Sequence, residues 1–433
     1  MSETLGSLKT NEYTIKVVPP KGYDKIADQN VRAISGESID VTFNLAQAPP
    51  YVIYGIRIDN NNADPAAVVY TDEAIGMTAG SNSWFDMWPF NEIYPCVLNY
   101  DGTLKYKLNK QDVTKKEDGT PVTLSNEPCC MVRFPQIWIS VTKDTNYVYV
   151  KISNAQVDST YESLNDVRNG NHKGEVYIGM FKASTHLSNE LRSSPGVRCL
   201  TGVGLFELRA RARRMNQHVS TNFKGWEVKT YQNHVMLQCL FLIFYKNRNS
   251  QAALGMGLSG YENAALGGSM PYLGANYGTS KEGTVVKFLW IEDIWGNKSE
   301  ILEGLYTRIP TIATIELYYQ NDPEKFSETH DTYTKILSKY VLVGDTYKSA
   351  GNLAQVQGTN ATPFFSILPT PTLSNNDTAH YYCDLFYLMA NSIRSVAALT
   401  AGKSSGTNIG IFALGETNVT IASTDEGSRI CFI

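Results

Sequence analysis

Short apolar stretches, each broken by Pro, Gly, Asn or Asp within about ten residues, recur along most of the chain. Such punctuation limits helix length and favours many short strands joined by turns. The short loop Lys143–Asn146 between the strands Ile137–Val141 and Tyr147–Ile152 predicts a hairpin. The predicted strands up to residue 181 are Tyr13–Val18, Ile39–Phe43, Tyr51–Ile58, Leu104–Leu108, Met131–Phe134, Ile137–Val141, Tyr147–Ile152 and Val176–Phe181.

Only two segments have the length and composition of α-helices, Leu205–Met215 and Tyr231–Asn247. The second is apolar on nearly every face, which predicts a largely buried helix. Residues 250–280 are rich in Gly, Ser, Ala and Asn and predict a long loop, followed by a strand over Val285–Glu292 and a turn over Asp293–Asn297. The predicted fold class is therefore α+β, with a β-rich N-terminal region, few helices and long loops.

A chain of 433 residues is expected to form two or three domains. We predict an N-terminal assembly arm over residues 1–45 and a β-rich attachment domain over residues 46–168. A polar segment over residues 163–174 marks the predicted main boundary, so the third domain spans residues 169–433.

Charge and composition exclude several function classes. The net charge is −4 and no run of basic residues occurs, so nucleic acid is not an expected partner. The arginines of the first predicted helix, Arg209, Arg211, Arg213 and Arg214, predict a solvated or interface face. No apolar stretch is long enough to predict membrane insertion, and residues 1–10 do not resemble a secretory signal. Seven cysteines in no zinc-binding spacing predict mostly buried thiols.

Motifs that carry chemistry are mostly missing from the sequence. None of the six histidines belongs to a zinc-protease motif, and neither a phosphate-binding loop nor a serine-hydrolase elbow occurs. Asp377, His380 and Cys383 lie close together, but a buried thiol beside a surface histidine is favoured over an activated pair. The acidic loop Asp59–Asp64 is predicted to be solvated rather than to hold a cation. We therefore predict no catalytic residue, metal or cofactor.

Four segments, read in order, resemble tail or fibre proteins of phages and prophages of gut bacteria. They are Val69–Met77, Tyr177–Gly179 with Ser188–Ser193, Leu289–Lys298, and Tyr381–Asp384 with the terminal Gly427–Phe432. The resemblance covers about residues 50–433. It implies a C-terminal domain with a C-type-lectin-like fold of the formylglycine-generating-enzyme type, closed by a strand over Arg429–Ile433.

In proteins of this kind the last stretch of chain forms the displayed surface, which here is Ala398–Glu426. Its small polar side chains suit hydrogen bonding to a receptor. The calcium-binding motifs of lectin relatives and the paired cysteines of enzymatic relatives do not occur in this sequence. The predicted receptor-contact residues are Tyr381, Tyr382, Lys403, Ser404, Ser405, Thr407, Asn408, Glu416, Thr417, Asn418 and Thr420.

The resemblance implies a bacteriophage virion protein, assembled in the cytoplasm of the host bacterium. It is expected to form homo-oligomers, to contact other virion proteins, and to bind a host-surface glycan or protein. Two alternatives stay open. One is a purely structural head-fibre, collar or tail-scaffold protein, and the other is a virion-associated enzyme such as a depolymerase or an oxidase.

Overall fold

A computed structural model describes residues 10–15, 29–34, 51–163, 165–220, 225–258, 266–311, 314–337, 348–353, 373–374, 380–389, 394–400, 409–420 and 423–433. The chain divides into two compact units, Met1–Val52 and Ile53–Ile433. In the first unit β1 (Asn11–Ile15) pairs with β2 (Gln29–Ala33) in an antiparallel ladder. The predicted strand Ile39–Phe43 lies outside the described residues.

The second unit contains all the remaining elements. Its α-helices are α1 (Leu205–Arg214), α2 (Tyr231–Tyr245) and α3 (Ser250–Ala253). Its strands up to α2 are β3 (Ile53–Asp59), β4 (Val68–Asp72), β5 (Tyr94–Leu98), β6 (Leu104–Lys107), β7 (Cys129–Pro135), β8 (Trp138–Lys143), β9 (Tyr147–Ser153), β10 (Val167–Arg168), β11 (Asn171–His172), β12 (Glu175–Gly179), β13 (Ser184–Thr185), β14 (Leu191–Arg192) and β15 (Trp226–Val228). Beyond α2 they are β16 (Lys287–Phe288), β17 (Ile291–Glu292), β18 (Ser299–Thr311), β19 (Thr314–Tyr319), β20 (Thr334–Leu337), β21 (Lys348–Leu353), β22 (Leu373–Ser374), β23 (Leu385–Met389), β24 (Arg394–Leu399), β25 (Gly415–Asn418), β26 (Glu426–Gly427) and β27 (Ile430–Phe432).

A six-stranded sheet in the order β15-β27-β12-β7-β5-β6 brings together distant parts of the chain. Strand β12 pairs with β7 over five residues on one side and with the C-terminal β27 on the other. The predicted closing strand at the C-terminus is therefore confirmed. The predicted boundary near residue 168 does not separate two domains, because β7 and β12 lie on opposite sides of it and share this sheet.

Two further sheets complete most of the second unit. The order β4-β3-β9-β8 forms one of them, and its β8–β9 ladder is the hairpin predicted from the loop Lys143–Asn146. The order β20-β19-β18-β24-β25 forms the other, with β26 pairing in parallel with β18. Strands β22, β21 and β23 make a small three-stranded sheet.

Helix α2 is buried along its length, as its composition predicts, from Tyr231 to Phe244. A capping box fixes its start: the Thr230 hydroxyl accepts from the Asn233 backbone N–H, and the Asn233 side chain accepts from the Thr230 N–H. The helix ends where Lys246 takes a left-handed conformation. No helix in the described part of the chain combines the length and apolarity that a bilayer crossing requires.

Helix α1 forms where it is predicted, and Arg214 on it is exposed, but Arg209 and Arg213 pair with acids elsewhere in the chain. Arg209 is buried and its guanidinium contacts the Glu303 carboxylate at 2.7 Å. Arg213 donates to Glu227 at 3.2 Å and to the Pro323 carbonyl at 2.8 Å. Glu303 lies 94 residues from Arg209 and Glu227 lies 14 residues from Arg213, so the charge pattern of the helix itself could not indicate these pairs.

The predicted strand Val285–Glu292 is wrong. The chain forms instead a small hairpin of β16 and β17, and Leu289 and Trp290 at its turn have φ angles of 48° and 61°. Two consecutive positive φ angles define the type I′ turn that Asn-Gly sequences normally mark. The loop is held in place because the Leu289 N–H donates to the Asn276 side chain and the Trp290 indole donates to the Lys110 carbonyl.

The fold class is α+β with few helices, as predicted. Apart from α3, the described part of the predicted loop over residues 250–280 contains no strand or further helix. All seven cysteines are free thiols, six of them buried, which agrees with the prediction of mostly buried thiols.

Candidate functional site

A cluster of buried charges joins the ends of several elements in the second unit. Glu300, near the start of β18, accepts from Lys182 Nζ at 2.9 Å and from Arg429 Nε at 3.0 Å and Nη2 at 2.7 Å. Lys229, between β15 and α2, also donates to its carboxylate. Arg429 donates further to the carbonyls of Gly179 and Glu292, at 2.9 and 2.7 Å. This cluster fixes the C-terminal segment onto β12 and β18.

The electrostatics of this cluster are those of a structural centre. Burial alone would raise the pKa of Glu300, but Arg429, Lys182 and Lys229 together hold it well below its usual range. Burial lowers the pKa of Lys229 to about 8, against the attraction of Glu300. A carboxylate saturated by three cations holds its charge firmly and does not act as a general base near neutral pH.

A small cleft lies next to this cluster and is lined in part by Lys182, Cys199, Glu292, Asp293 and Asn297. It has room for about one water molecule. Burial raises the pKa of the Cys199 thiol to about 11, which disfavours the nucleophilic thiolate. Asp293 Oδ2 accepts from Asn297 Nδ2 at 2.7 Å. This hydrogen bond spans the Asp293–Asn297 turn, and a cleft of this size is too small for a substrate.

Two clusters that the sequence raised as candidates have different roles in the structure. In the Asp59–Asp64 loop the carboxylates bind their own backbone: Asp59 accepts from the Asn61 N–H at 2.8 Å and Asp64 from the Ala66 N–H at 2.9 Å. The Cys383 thiol donates to the His380 carbonyl oxygen at 3.4 Å. Among the described residues no group of three His, Cys, Asp or Glu side chains could hold a metal ion.

The two tyrosines proposed for receptor contact lie at different depths. Tyr381 is half-buried, and its N–H donates to the Ala63 carbonyl at 2.7 Å. Tyr382 is only 1% exposed, and its ring packs edge-on against Phe412 at 5.1 Å between centroids. The prediction of Tyr382 as a contact residue is therefore wrong, because aromatic packing removes it from the surface.

Of the predicted contact residues near the C-terminus, some are buried and others are exposed. Thr417 lies in β25, is 7% exposed and donates to Glu426 at 2.6 Å, so its prediction as a contact residue is wrong. Asn418 and Thr420 are exposed and form a turn in which Asn418 Oδ1 accepts from the Thr420 N–H at 2.9 Å. The side chain of Glu416 lies outside the described residues, as do Lys403, Ser404, Ser405, Thr407 and Asn408.

The Asn418–Thr420 turn is packed against the beginning of α1. The Phe206 N–H donates to the Val419 carbonyl at 3.3 Å, and the Gly202 N–H donates to the Ser423 carbonyl at 3.0 Å. Gly204 touches the Thr420 backbone so closely that a β-carbon there would collide with it. The two exposed polar side chains are thus carried on a backbone that is fixed on both sides.

Arg248 is a residue that the sequence analysis missed. It is 1% exposed, and its Nη2 donates to the carbonyls of Asn62 and Asp64 at 2.6 and 2.7 Å. Its guanidinium also lies 5.7 Å from the ring centres of Tyr381 and Tyr382. It therefore joins the Asp59–Asp64 loop to the tyrosines, and its neighbours in sequence give no sign of this role.

Asp384 is a second missed residue, two positions beyond Tyr382. It is fully buried and accepts from the Phe412 N–H at 2.9 Å and from the Ser250 hydroxyl at 3.2 Å. Burial raises the pKa of Asp384 to about 8, against these two hydrogen bonds. The carboxyl group is therefore mostly protonated at neutral pH and ties α3 to residues 409–413.

Comparison with known proteins does not assign this chain to a family. The sequence matches no model of a known protein family. A search of curated proteins also finds no significant match.

Proposed function

We propose that this chain is a bacteriophage virion protein, a tail or fibre component, that binds a host-surface receptor through its C-terminal region. The observation that carries the proposal is the way this region is held. Strand β27 is inserted in the central sheet and Arg429 in the buried charge cluster, while Asn418 and Thr420 on the same segment stay exposed. A rigid frame that presents small polar side chains suits recognition at low entropic cost.

The resemblance to phage tail and fibre proteins supports the biological setting, and the same proposal includes a C-type-lectin-like fold for the C-terminal part of the second unit. Receptor contacts of this kind are individually weak, so we expect a homo-oligomer that gains affinity from several simultaneous contacts. The described chemistry favours binding over catalysis. The Glu300 carboxylate is saturated by three cations, and the cleft beside it has room for about one water molecule.

A purely structural role is the second candidate. It is favoured by the burial of Tyr382 and Thr417, which leaves fewer exposed positions for a receptor than the sequence indicates. In that case the C-terminal region would pack against other virion proteins and would be covered in the assembled particle.

The test replaces the exposed turn and a matched control turn in the phage that encodes the chain. The variant Asn418→Ala with Thr420→Ala should reduce adsorption to host cells about tenfold or more while particle yield stays unchanged. The control is Asp118→Ala with Thr120→Ala, which alters another exposed turn with the same 2.9 Å side-chain-to-backbone bond. Unchanged adsorption of the first variant, with residues 418–420 covered in a map of the intact particle, would support the structural role instead.

A further inference from the structure

Trp138 and His172 form an aromatic pair at the β8 edge of the sheet β4-β3-β9-β8. Side chains alternate along β8, so the buried Ile139 and Val141 place Trp138 on the opposite face of the sheet. Trp138 is half-buried, the His172 side chain is 43% exposed, and their ring centres lie 5.2 Å apart at an angle of 49°. A partly exposed indole is uncommon in this chain, because four of the six tryptophans are at most 1% exposed: Trp84, Trp226, Trp290 and Trp295.

A buried carboxylate fixes the imidazole of this pair. Asp166 is fully buried, and its Oδ1 lies 3.1 Å from His172 Nδ1 and accepts from the Ser163 hydroxyl at 2.7 Å. Its Oδ2 accepts from Gln136 Nε2 at 3.1 Å and from the Gly174 N–H at 2.9 Å. Because a carboxylate only accepts, His172 Nδ1 carries the proton of the neutral ring, and Nε2 presents a lone pair. Asp166 thus orients both the imidazole and the Gln136 amide.

The hairpin that carries His172 is also held at its turn. Asp322, which is 1% exposed, accepts from the N–H groups of Asn169 and Gly170 at 2.8 and 2.9 Å. Strands β10 and β11 have only two residues each, so their own ladder is too short to fix their position. Two buried carboxylates, one at each end, therefore hold His172 on a backbone that is ordered before any ligand arrives.

We infer that Trp138, His172 and Gln136 form a binding subsite for one pyranose ring of a glycan. A pyranose ring has an apolar face of C–H groups, which packs on an aromatic ring, and hydroxyl groups at its edge, which both donate and accept. Asp166 occupies His172 Nδ1 and Gln136 Nε2, which leaves the imidazole Nε2 and the amide oxygen as acceptors for those hydroxyl groups. Among the described residues neither of these two atoms has a hydrogen-bond partner.

The size and polarity of this subsite favour a sugar over a protein. A stable protein interface buries ~800 Å² per partner, of which one indole and one imidazole supply only a small part. A single sugar ring is similar in size to an indole, and it needs a few fixed polar groups beside an apolar surface. Acceptors that are already oriented lower the entropic cost of binding it. This site is separate from the proposed receptor contact, because Asn418 belongs to a different sheet.

Saturation-transfer difference NMR on the full chain tests the subsite, with N,N′-diacetylchitobiose, cellobiose and lactose as probes. We expect at least one of them to bind with a Kd of about 1 mM, and its ring C–H protons to receive the strongest saturation. Trp138→Ala should weaken binding about tenfold or more, because the stacking surface is lost. His172→Ala changes an exposed side chain that the fold does not require, and it should weaken binding about fivefold.

The matched control is Trp88→Ala, at the other half-buried indole, which has no ring partner among the described residues and should leave binding unchanged. Near-ultraviolet circular dichroism checks that each variant is folded. No binding of any probe to the parent chain, or full binding to a folded His172→Ala variant, would overturn the inference.

The double variant Asn418→Ala with Thr420→Ala separates this subsite from the proposed receptor contact. It should bind the probes as strongly as the parent chain, whatever its effect on adsorption to host cells. Loss of probe binding in that variant would place the sugar at the C-terminal turn and contradict a subsite at Trp138. A map of the intact particle in which another virion protein covers Trp138 would contradict it as well.

Discussion

Glu300 is a buried carboxylate that pairs with three buried cations, so its charge matters strongly for stability. We expect Glu300→Gln to lower the free energy of unfolding by about 3–5 kcal/mol, because Lys182, Lys229 and Arg429 would stay buried without their counter-charge. The measurement is the midpoint of urea denaturation.

The matched control for this change is Glu207→Gln on α1. Glu207 pairs with Arg211 at 2.8 Å on the surface, so its loss should change stability by no more than about 0.5 kcal/mol. If Glu300→Gln does not fold, Arg429→Lys can be measured instead, since it keeps the positive charge but loses the forked guanidinium donors. We expect this change to lower the free energy of unfolding by about 1–3 kcal/mol. Equal midpoints for Glu300→Gln and Glu207→Gln would contradict a structural role for the cluster.

Asp384 predicts a pH dependence of stability. Its folded-state pKa of about 8 lies above the ordinary value of 3.8, so its contribution is fully present below pH 3.8 and is lost as pH rises through 8. The stability of Asp384→Asn relative to the parent should therefore rise by up to about 1.4 kcal/mol per pH unit from pH 5, and level off above pH 8. Thermal unfolding at several pH values measures it. A difference between Asp384→Asn and the parent that is constant with pH would refute the account.

At the scale of elements, the sequence predicts those strands and helices whose conformation depends on neighbouring residues, and it does not predict those held by distant contacts. The β8–β9 hairpin follows from two apolar strand segments joined by the short loop Lys143–Asn146, and α2 follows from the length and density of its apolar residues. The β16–β17 hairpin does not follow, because Leu289 and Trp290 occupy positive φ angles that their residue types disfavour, and distant hydrogen bonds hold them there.

The predicted receptor-contact residues near the C-terminus show the same difference between local and distant contacts. Thr417 is a small polar residue in a polar stretch, which indicates a displayed loop, yet pairing of β25 with β24 places it in a strand that Glu426 covers. Asn418 and Thr420, one and three residues later, do lie at the surface. Arg248 and Asp384 could not be found from sequence because each is defined by partners more than 25 residues away.

At the scale of the whole molecule, the order of strands in the central sheet decides which fragments fold. A fragment of residues 169–433 keeps β12, β15 and β27 but loses β7, β5 and β6, together with the buried Cys96, Leu98, Cys129 and Met131 of the same core cluster. Residues 53–433 keep the entire sheet and form one compact unit. We expect the 53–433 fragment to unfold cooperatively, at the temperature at which the second unit unfolds in the full chain. The 169–433 fragment should show no cooperative transition, because an edge of β12 and one face of the core would be exposed to water. Near-ultraviolet circular dichroism on heating distinguishes the two. A cooperative transition in the shorter fragment would show that the C-terminal region folds as a domain of its own, and that the sheet shared across residue 168 is only an interface.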